Sequence, residues 1–182
     1  MDEVLSALAR MIWLHQADAM AHLKRDLDET APRYRKTLRV RARVADGGER
    51  VVSRPADGRG SVNTAQPGDY MVTNQPPARE QYVIRADRFA ARYDPIDGEE
   101  PGSETDEEGG LLYEAKGEVK ALTVDEALLT RLKQDDGFYL EADWGEAQIV
   151  RKGDSLVAPP DLSEIYRIAR SEFELSYTRC EG

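Results

Sequence analysis

The feature that most constrains the fold is a pattern of glycine, aspartate and aromatic residues that occurs twice. GDYMV at 68–72 recurs as GDSLV at 153–157. Each copy then has a Tyr, a Phe and a Tyr at the same spacings: Tyr82, Phe89 and Tyr93, and Tyr166, Phe173 and Tyr177. Because Gly tolerates positive φ and Asp bonds to nearby backbone, each Gly-Asp pair predicts a tight turn. The pattern predicts two related small domains, each with one end sealed by aromatic rings.

Alternation upstream of the first turn predicts a half-buried strand. Leu38, Val40, Ala42 and Val44 share one face, and Arg39, Arg41 and Arg43 share the other. Short strands are also expected at 51–52, 70–73 and 81–84, and a helical turn or two from 87 to 93. Downstream, 123–126 has capping-box spacing and predicts a second helix with an apolar side.

Residues 97–110 contain seven acids, no base and no large apolar side chain. Such a segment cannot bury enough surface to offset its ordering entropy. It predicts a flexible acidic linker. The expected organisation is therefore an amphipathic helix (1–32), a first β-rich domain (33–96), the linker (97–110) and a second β-rich domain (111–182).

The N-terminal segment predicts one amphipathic helix over residues 2–28, ended by Pro32. Its apolar side would expose a large patch in a monomer, so we expect it to be an interface between copies. The predicted interface residues are Val4, Leu8, Met11, Ile12 and Leu23. The fold class expected is α+β: this helix followed by two related barrel-like domains, each closing with a short helix.

Residues 33–96 resemble the small PGDYG-motif domain family and phage-encoded proteins that begin with a Tyr-Arg-Lys strand. The resemblance rests on RYRK at 33–36, PGDY at 67–70 and ARYDPI at 91–96. It reaches the second half only through Gly153-Asp154 and the aromatic spacing. Met71 replaces the final Gly of the motif, and Lys152 and Ser155 replace its Pro and Tyr in the second half. The resemblance implies a compact β-rich domain and supplies no catalytic residues.

Composition excludes several classes of protein. The chain is 40% hydrophobic, which can support a core, and its net charge of −10 argues against a protein that coats nucleic acid. It has no run of about 18 apolar residues, so no membrane span is expected. Cys180 is the single cysteine, which excludes an internal disulfide. A cytoplasmic protein is expected.

Charge divides unevenly along the chain. The four predicted segments carry net charges of −3, +6, −7 and −6 in order. Two related domains of opposite sign predict electrostatic attraction, within one chain or between copies.

Arg39, Arg41 and Arg43 form the main candidate binding strip. Alternate residues on a strand are about 7 Å apart, near the phosphate spacing of a nucleic acid, and Tyr34 and Tyr82 could stack on a ligand. A solvated, salt-bridged strand face is the favoured interpretation, an acidic protein surface comes next, and nucleic acid is unlikely. Trp144, beside Gly145, predicts a hairpin tip whose indole could contact a partner.

The only histidines, with one aspartate, give a weaker candidate for metal binding. His15, Asp18 and His22 would share one side of the predicted helix and have suitable ligand types. The two His residues would lie about 10 Å apart, so a shared ion would need a second helix. The alternative is that they are polar residues of a packed helix. No cofactor is expected.

The favoured function is that of a non-catalytic adaptor that self-associates or docks a protein partner through its N-terminal helix and charged β-domain surfaces. The alternative is a small-molecule or nucleotide binder with a pocket between the two repeats. A metal-dependent enzyme that uses the helix histidines is the third and least favoured possibility.

Overall fold

The computed structural model is a strand-rich α+β protein built as two compact units. It describes residues 10–53, 61–78, 80–96, 110–142 and 145–182. Unit 1 comprises Met1–Arg33 and Val119–Arg170, and unit 2 comprises Tyr34–Glu118 and Ser171–Gly182. Each unit therefore combines segments from both halves of the chain.

The described residues form short strands and four helices. The strands are β1 (Trp13–Leu14), β2 (Arg33–Lys36), β3 (Val40–Val44), β4 (Arg50–Ser53), β5 (Ser61–Thr64), β6 (Tyr70–Asn74), β7 (Gln81–Ile84), β8 (Tyr93–Pro95), β9 (Leu111–Ala115), β10 (Val119–Thr123), β11 (Phe138–Glu141), β12 (Ala147–Val150), β13 (Ser155–Ala158), β14 (Tyr166–Ile168) and β15 (Tyr177–Arg179). The helices are α1 (Gln16–Glu29), α2 (Ala86–Arg92), α3 (Glu126–Arg131) and α4 (Arg170–Ser176). No helix among these residues is long and apolar enough to cross a membrane.

The core of unit 2 lies on one face of a five-stranded sheet in the order β7-β6-β3-β9-β8, in which neighbours are antiparallel. Val40 and Ala42 of β3 are buried, which confirms the predicted alternation. Val44, predicted on the buried face, is instead 53% exposed. Phe89 of α2 covers this face, and β4 and β5 form a separate hairpin. The described part of this sheet is open, without the closure of a barrel.

The core of unit 1 lies between its helices and two sets of strands. One set is the sheet β1-β11-β12, and the other joins β10, β13 and β14 in antiparallel pairs. Leu23, Phe138 and Leu156 are fully buried in one apolar cluster. Asp125 caps α3 by accepting a hydrogen bond from the backbone NH of Leu128 at 2.8 Å. This confirms the predicted second helix.

The N-terminal helix is shorter than predicted. α1 begins at Gln16, because Trp13–Leu14 instead pair in parallel with β11. The helix predicted over 2–28 is therefore wrong for residues 10–15, and residues 1–9 lie outside the described part of the chain. Ala19, Leu23 and Leu27 are fully buried against the strands of unit 1. The strands of unit 1 therefore cover the apolar side of α1.

The two Gly-Asp turns have the same backbone geometry. Gly68 and Gly153 have φ values of 88° and 92°. The backbone NH of Asp69 donates to the Gln66 carbonyl at 3.0 Å, and that of Asp154 donates to the Arg151 carbonyl at 3.1 Å. Each Asp carboxylate accepts from the backbone NH three residues earlier, at 2.9 and 2.8 Å. The predicted tight turns are confirmed.

The predicted acidic linker connects two strands of one sheet. β8 and β9 are antiparallel neighbours, and the backbone NH of Ile96 extends their pairing by donating to the Leu112 carbonyl at 3.2 Å. The strands on either side of 97–109 are therefore neighbours in the sheet of unit 2, and 97–109 themselves lie outside the described residues. The observed units differ from the predicted boundaries at 33–96 and 111–182 because β9 joins β3 across this segment.

The charge division predicted from the linear segments also changes. Unit 1 contains 16 acidic and 11 basic residues, and unit 2 contains 19 acidic and 14 basic residues. Each unit therefore has a net charge of −5. The predicted attraction between halves of opposite sign does not apply to these units.

Candidate functional site

The arginines of β3 bind groups of their own unit. Nη1 of Arg41 donates to the Gly110 carbonyl at 3.3 Å. Nη1 of Arg43 lies 3.3 Å from Oε1 of Glu49 and 3.4 Å from the Val44 carbonyl. Arg39 is exposed. Arg41 and Arg43 lie on β3 and have partners within the chain, and Arg39 lies immediately before the strand.

Glu49 organises the turn beside these arginines. Its carboxylate accepts hydrogen bonds from the backbone NH groups of Asp46 at 3.0 Å and Gly47 at 2.8 Å. Hydrogen bonds from its own backbone NH and from those of Asp46 and Gly47, with a smaller contribution from Arg43, lower the pKa of Glu49 to about 2. The guanidinium of Arg43 therefore faces a carboxylate that stays ionised.

The two predicted stacking tyrosines lie inside unit 2. The edge of Tyr34 packs on Phe173, with ring centroids 4.8 Å apart and an interplanar angle of 70°. Tyr82 joins a polar cluster around Lys36. Both residues are half-buried, and the predicted stacking on a ligand stays a prediction.

The ammonium of Lys36 is the centre of that cluster. Nζ donates to Oδ1 of Asn74 at 2.7 Å and to the hydroxyls of Tyr93 and Tyr82 at 2.9 and 3.1 Å. The two hydroxyls are 2.7 Å apart. All three ammonium donors are thus used. The cluster ties β2 to β6, β7 and β8.

The cluster separates the pKa values of its two phenols. Burial, with a contribution from Tyr93, raises the pKa of Tyr82 well above 10. Burial also opposes ionisation of Tyr93, but the charge of Lys36 and hydrogen bonds from Lys36 and Tyr82 outweigh it and lower the pKa of Tyr93 below 10. Sequence reasoning missed Lys36, Asn74 and Tyr93.

The predicted metal ligands are not brought together. His15 precedes α1 with extended backbone, so it does not share a helical face with Asp18 and His22. His22 is exposed on α1. Within the described ranges, no group of three or more His, Cys, Asp or Glu side chains could hold a metal ion. The first predicted ligand thus lies outside the helix that carries Asp18 and His22.

One residue of the predicted oligomer interface lies in the core. Leu23 is fully buried, Ile12 packs against the same cluster, and Met11 is half-buried. Leu23 therefore cannot contact a second copy of the folded chain, and its assignment to an interface is wrong. Val4 and Leu8 lie outside the described residues, as does Trp144. The hairpin predicted around Trp144 is confirmed by the antiparallel pairing of β11 with β12.

Four side chains of unit 1 form an exposed aromatic and polar cluster, which we call the Trp13 surface: Trp13, His15, Tyr139 and Glu141. It arises because Tyr139 and Glu141 alternate along β11 with the buried residues Phe138 and Leu140. Trp13 lies directly opposite Tyr139 in the parallel pair β1–β11. The cluster therefore occupies the face of this sheet that points away from the core.

The indole of Trp13 is exposed but held in place. It is 48% exposed and stacks on Tyr139, with centroids 5.3 Å apart and an interplanar angle of 22°. Nε1 donates to Oε2 of Glu141 at 3.1 Å. Nδ1 of His15 lies 2.7 Å from the same oxygen.

Fold and site together define a strand-rich α+β protein with a fixed aromatic cluster on one exposed sheet face. The chain matches no protein-family model, no curated protein and no solved structure. The resemblance of residues 33–96 to PGDYG-motif domains stays a prediction.

Proposed function

We propose that this chain is a non-catalytic protein-interaction protein that binds a protein partner through the Trp13 surface. The proposal moves the docking site from the helix predicted over 2–28 to the strand that precedes α1. The single observation that carries it is the exposed indole of Trp13, fixed by Tyr139 and Glu141.

A fixed, exposed Trp is suited to partner binding. Large aromatic residues dominate the energetics of protein interfaces, and truncating a central one typically costs about 2 kcal/mol or more. Stacking and the Nε1 hydrogen bond already restrict the indole, so little side-chain entropy remains to be lost on binding. Apolar burial on a partner would then translate into affinity.

The other polar clusters favour a non-catalytic function. The donors of Lys36 are used within unit 2, and Arg41 and Arg43 bind their own chain. His15 is oriented by Glu141 but faces the solvent with 62% of its side chain exposed. These arrangements stabilise the fold and the Trp13 surface.

The test begins by capturing partners from the source cell on the immobilised full-length chain. Captured proteins are identified and purified, and their dissociation constants are measured by calorimetry. Trp13→Ala should weaken binding about 30-fold, the equivalent of about 2 kcal/mol. Val62→Ala is the matched control, since Val62 is a 49% exposed apolar residue of unit 2.

Trp13→Phe adds a second variant that keeps an aromatic ring but loses the Nε1 donor. We expect an affinity between those of wild type and Trp13→Ala, with all three chains giving similar circular dichroism melts. Equal dissociation constants for wild type, Trp13→Ala and Val62→Ala would refute the proposed docking site.

A further inference from the structure

We propose that the Trp13 surface takes a cationic side chain of the partner, a guanidinium or an ammonium, over the open face of the indole and beside Glu141. The inference rests on the proposed function and names the chemistry of the partner: a segment that carries Arg or Lys. Two observations support it: the position of the Trp13 indole, and the negative charge of Glu141 and of unit 1.

One face of the indole is stacked and the residue is still partly exposed. Tyr139 stacks on it at 5.3 Å, the His15 ring lies 6.4 Å away at an angle of 47°, and Trp13 remains 48% exposed. The negative face of an aromatic ring attracts a cation, and Trp gives the strongest of these interactions. A cation would therefore lie over the face that Tyr139 does not cover.

A carboxylate lies at the edge of the same ring. Oε2 of Glu141 is 3.1 Å from the indole nitrogen, and its side chain is 34% exposed. A cation above the ring would therefore gain both the π face and a nearby negative charge. In the described part of the chain, the contacts of Trp13, Tyr139 and Glu141 include no Lys or Arg, and the basic side chain among them is His15, whose Nδ1 lies 2.7 Å from Oε2 of Glu141.

The charge of the whole unit favours the same occupant. Unit 1 contains 16 acidic and 11 basic residues. A basic segment would be drawn to it and an acidic one repelled. A second copy of this chain, which presents the same acidic unit, is disfavoured for the same reason.

The experiment uses acetylated, amidated hexa-arginine as the probe and the full-length ¹⁵N-labelled chain. The Nε1–H signal of Trp13, assigned by its loss in Trp13→Phe, is followed during titration, and the signal of Trp144 provides an internal reference. Hexa-arginine should shift the Trp13 signal in a saturable manner. Acetylated, amidated hexa-glutamate should leave that signal unchanged.

Two variants of equal charge separate the site from the general field. Glu141→Gln and Glu126→Gln each remove one negative charge from unit 1. Glu126 is the control, because it lies on α3 and pairs with Lys152 instead of contacting Trp13. An exposed cation–π contact contributes about 0.5–1 kcal/mol, so Trp13→Ala should weaken hexa-arginine binding about two- to fivefold. Glu141→Gln should weaken binding to a similar extent, and Glu126→Gln should weaken it less.

Equal weakening by Glu141→Gln and Glu126→Gln would show that binding follows net charge alone and would overturn the inference. An equal shift of the Trp13 signal by hexa-glutamate would do the same. Failure of the broader proposal looks different, because there the purified partner would bind Trp13→Ala as tightly as wild type. A partner lost in Trp13→Ala, with no response to hexa-arginine, would reject only the cationic class.

Discussion

Lys36 determines which of two buried phenols loses its proton first. Its ammonium contacts both hydroxyls, yet the pKa of Tyr93 falls and that of Tyr82 rises. Once Tyr93 is ionised, the hydroxyl of Tyr82, 2.7 Å away, can donate to the phenolate. A second phenolate at that distance would be repelled, so the pair gives up its protons in two separate steps.

Absorbance at 295 nm during alkaline titration tests this order. Wild type should show one phenol that ionises below the ordinary value of 10, and Lys36→Met should raise the pKa of that phenol. Because the pKa of Tyr93 is depressed in the folded state, its ionisation stabilises the fold above pH 10, and this contribution is lost as the pH falls through the depressed value. Wild type should therefore gain stability over Lys36→Met as the pH rises from the depressed pKa of Tyr93 towards 10.

Tyr93→Phe and Tyr82→Phe are the controls for this titration. The first should abolish the early step. The second should raise the pKa of Tyr93 less than Lys36→Met does, because Lys36 has the larger effects on it. Identical curves for wild type and Lys36→Met would contradict the assignment.

This cluster has no signal in the local sequence. Lys36 lies in a run of basic residues, 33–36, and its partners are 38, 46 and 57 positions away. The repeat does not indicate the cluster either. In the second copy Tyr177 lies opposite Lys36 in the pair of β15 with β2, but its counterpart Tyr93 lies opposite Ala115 in the pair of β8 with β9. The sequence predicts Tyr82 as a stacking residue, because alternation within one strand does not show which other strands lie beside it. Its hydroxyl contacts Lys36 and Tyr93, which lie on two other strands.

At the scale of elements, the two Gly-Asp turns share a shape but differ in their surroundings. Oδ2 of Asp154 accepts from Nε of Arg167 at 2.9 Å, and both side chains are buried. In the first copy, Val83 occupies the register position of Arg167, and Asp69 is only half-buried. In the first copy the Asp carboxylate bonds to the backbone of its own turn, and in the second copy it also forms an ion pair with Arg167.

Asp154→Asn should therefore destabilise the protein far more than Asp69→Asn. Loss of the carboxylate breaks a buried ion pair with Arg167, which costs about 3–5 kcal/mol. The amide at position 69 keeps an acceptor for the Gln66 backbone NH, so the cost there should stay within about 1 kcal/mol. Urea unfolding at pH 7 measures both.

Arg167→Met combined with Asp154→Asn provides the check on that explanation. Removing both charges should recover part of the stability lost in Asp154→Asn alone, since replacing a whole buried ion pair costs less than removing one of its members. Equal costs at positions 69 and 154 would show that the ion pair adds nothing to the turn.

The repeat predicts many of the individual turns, strands and aromatic contacts. The turns, the strand that follows each, and the aromatic spacing are found: Phe89 stacks on Tyr93 at 5.0 Å and Phe173 on Tyr177 at 4.9 Å. Descent of the two segments from one duplicated unit stays a proposal. The start of α1 was missed because Trp13–Leu14 pair with residues more than 120 positions away. Tertiary pairing there overrides helical periodicity.

At the scale of the whole molecule, the order of segments along the chain did not reveal which of them fold together. Composition marked 97–110 as unable to form a core, and this was interpreted as a boundary. The flanking strands β8 and β9 instead pair with each other, and β9 also pairs with β3. A loop that closes a hairpin and a linker between domains have the same composition, since both need only solvation.

The interleaved units predict how the chain responds to a single cut. A protease site inserted within 97–109 would divide it into two fragments, each of which contributes to both units. After cleavage, the fragments should co-elute on gel filtration and keep the circular dichroism spectrum of the uncut chain, because β9 remains hydrogen-bonded to β3 and β8. Each fragment purified in denaturant should fail to unfold cooperatively when returned alone to buffer, since each lacks part of both cores. Mixing the two should restore the cooperative transition, and two fragments that separate and fold independently would instead establish the tandem arrangement expected from the linear sequence.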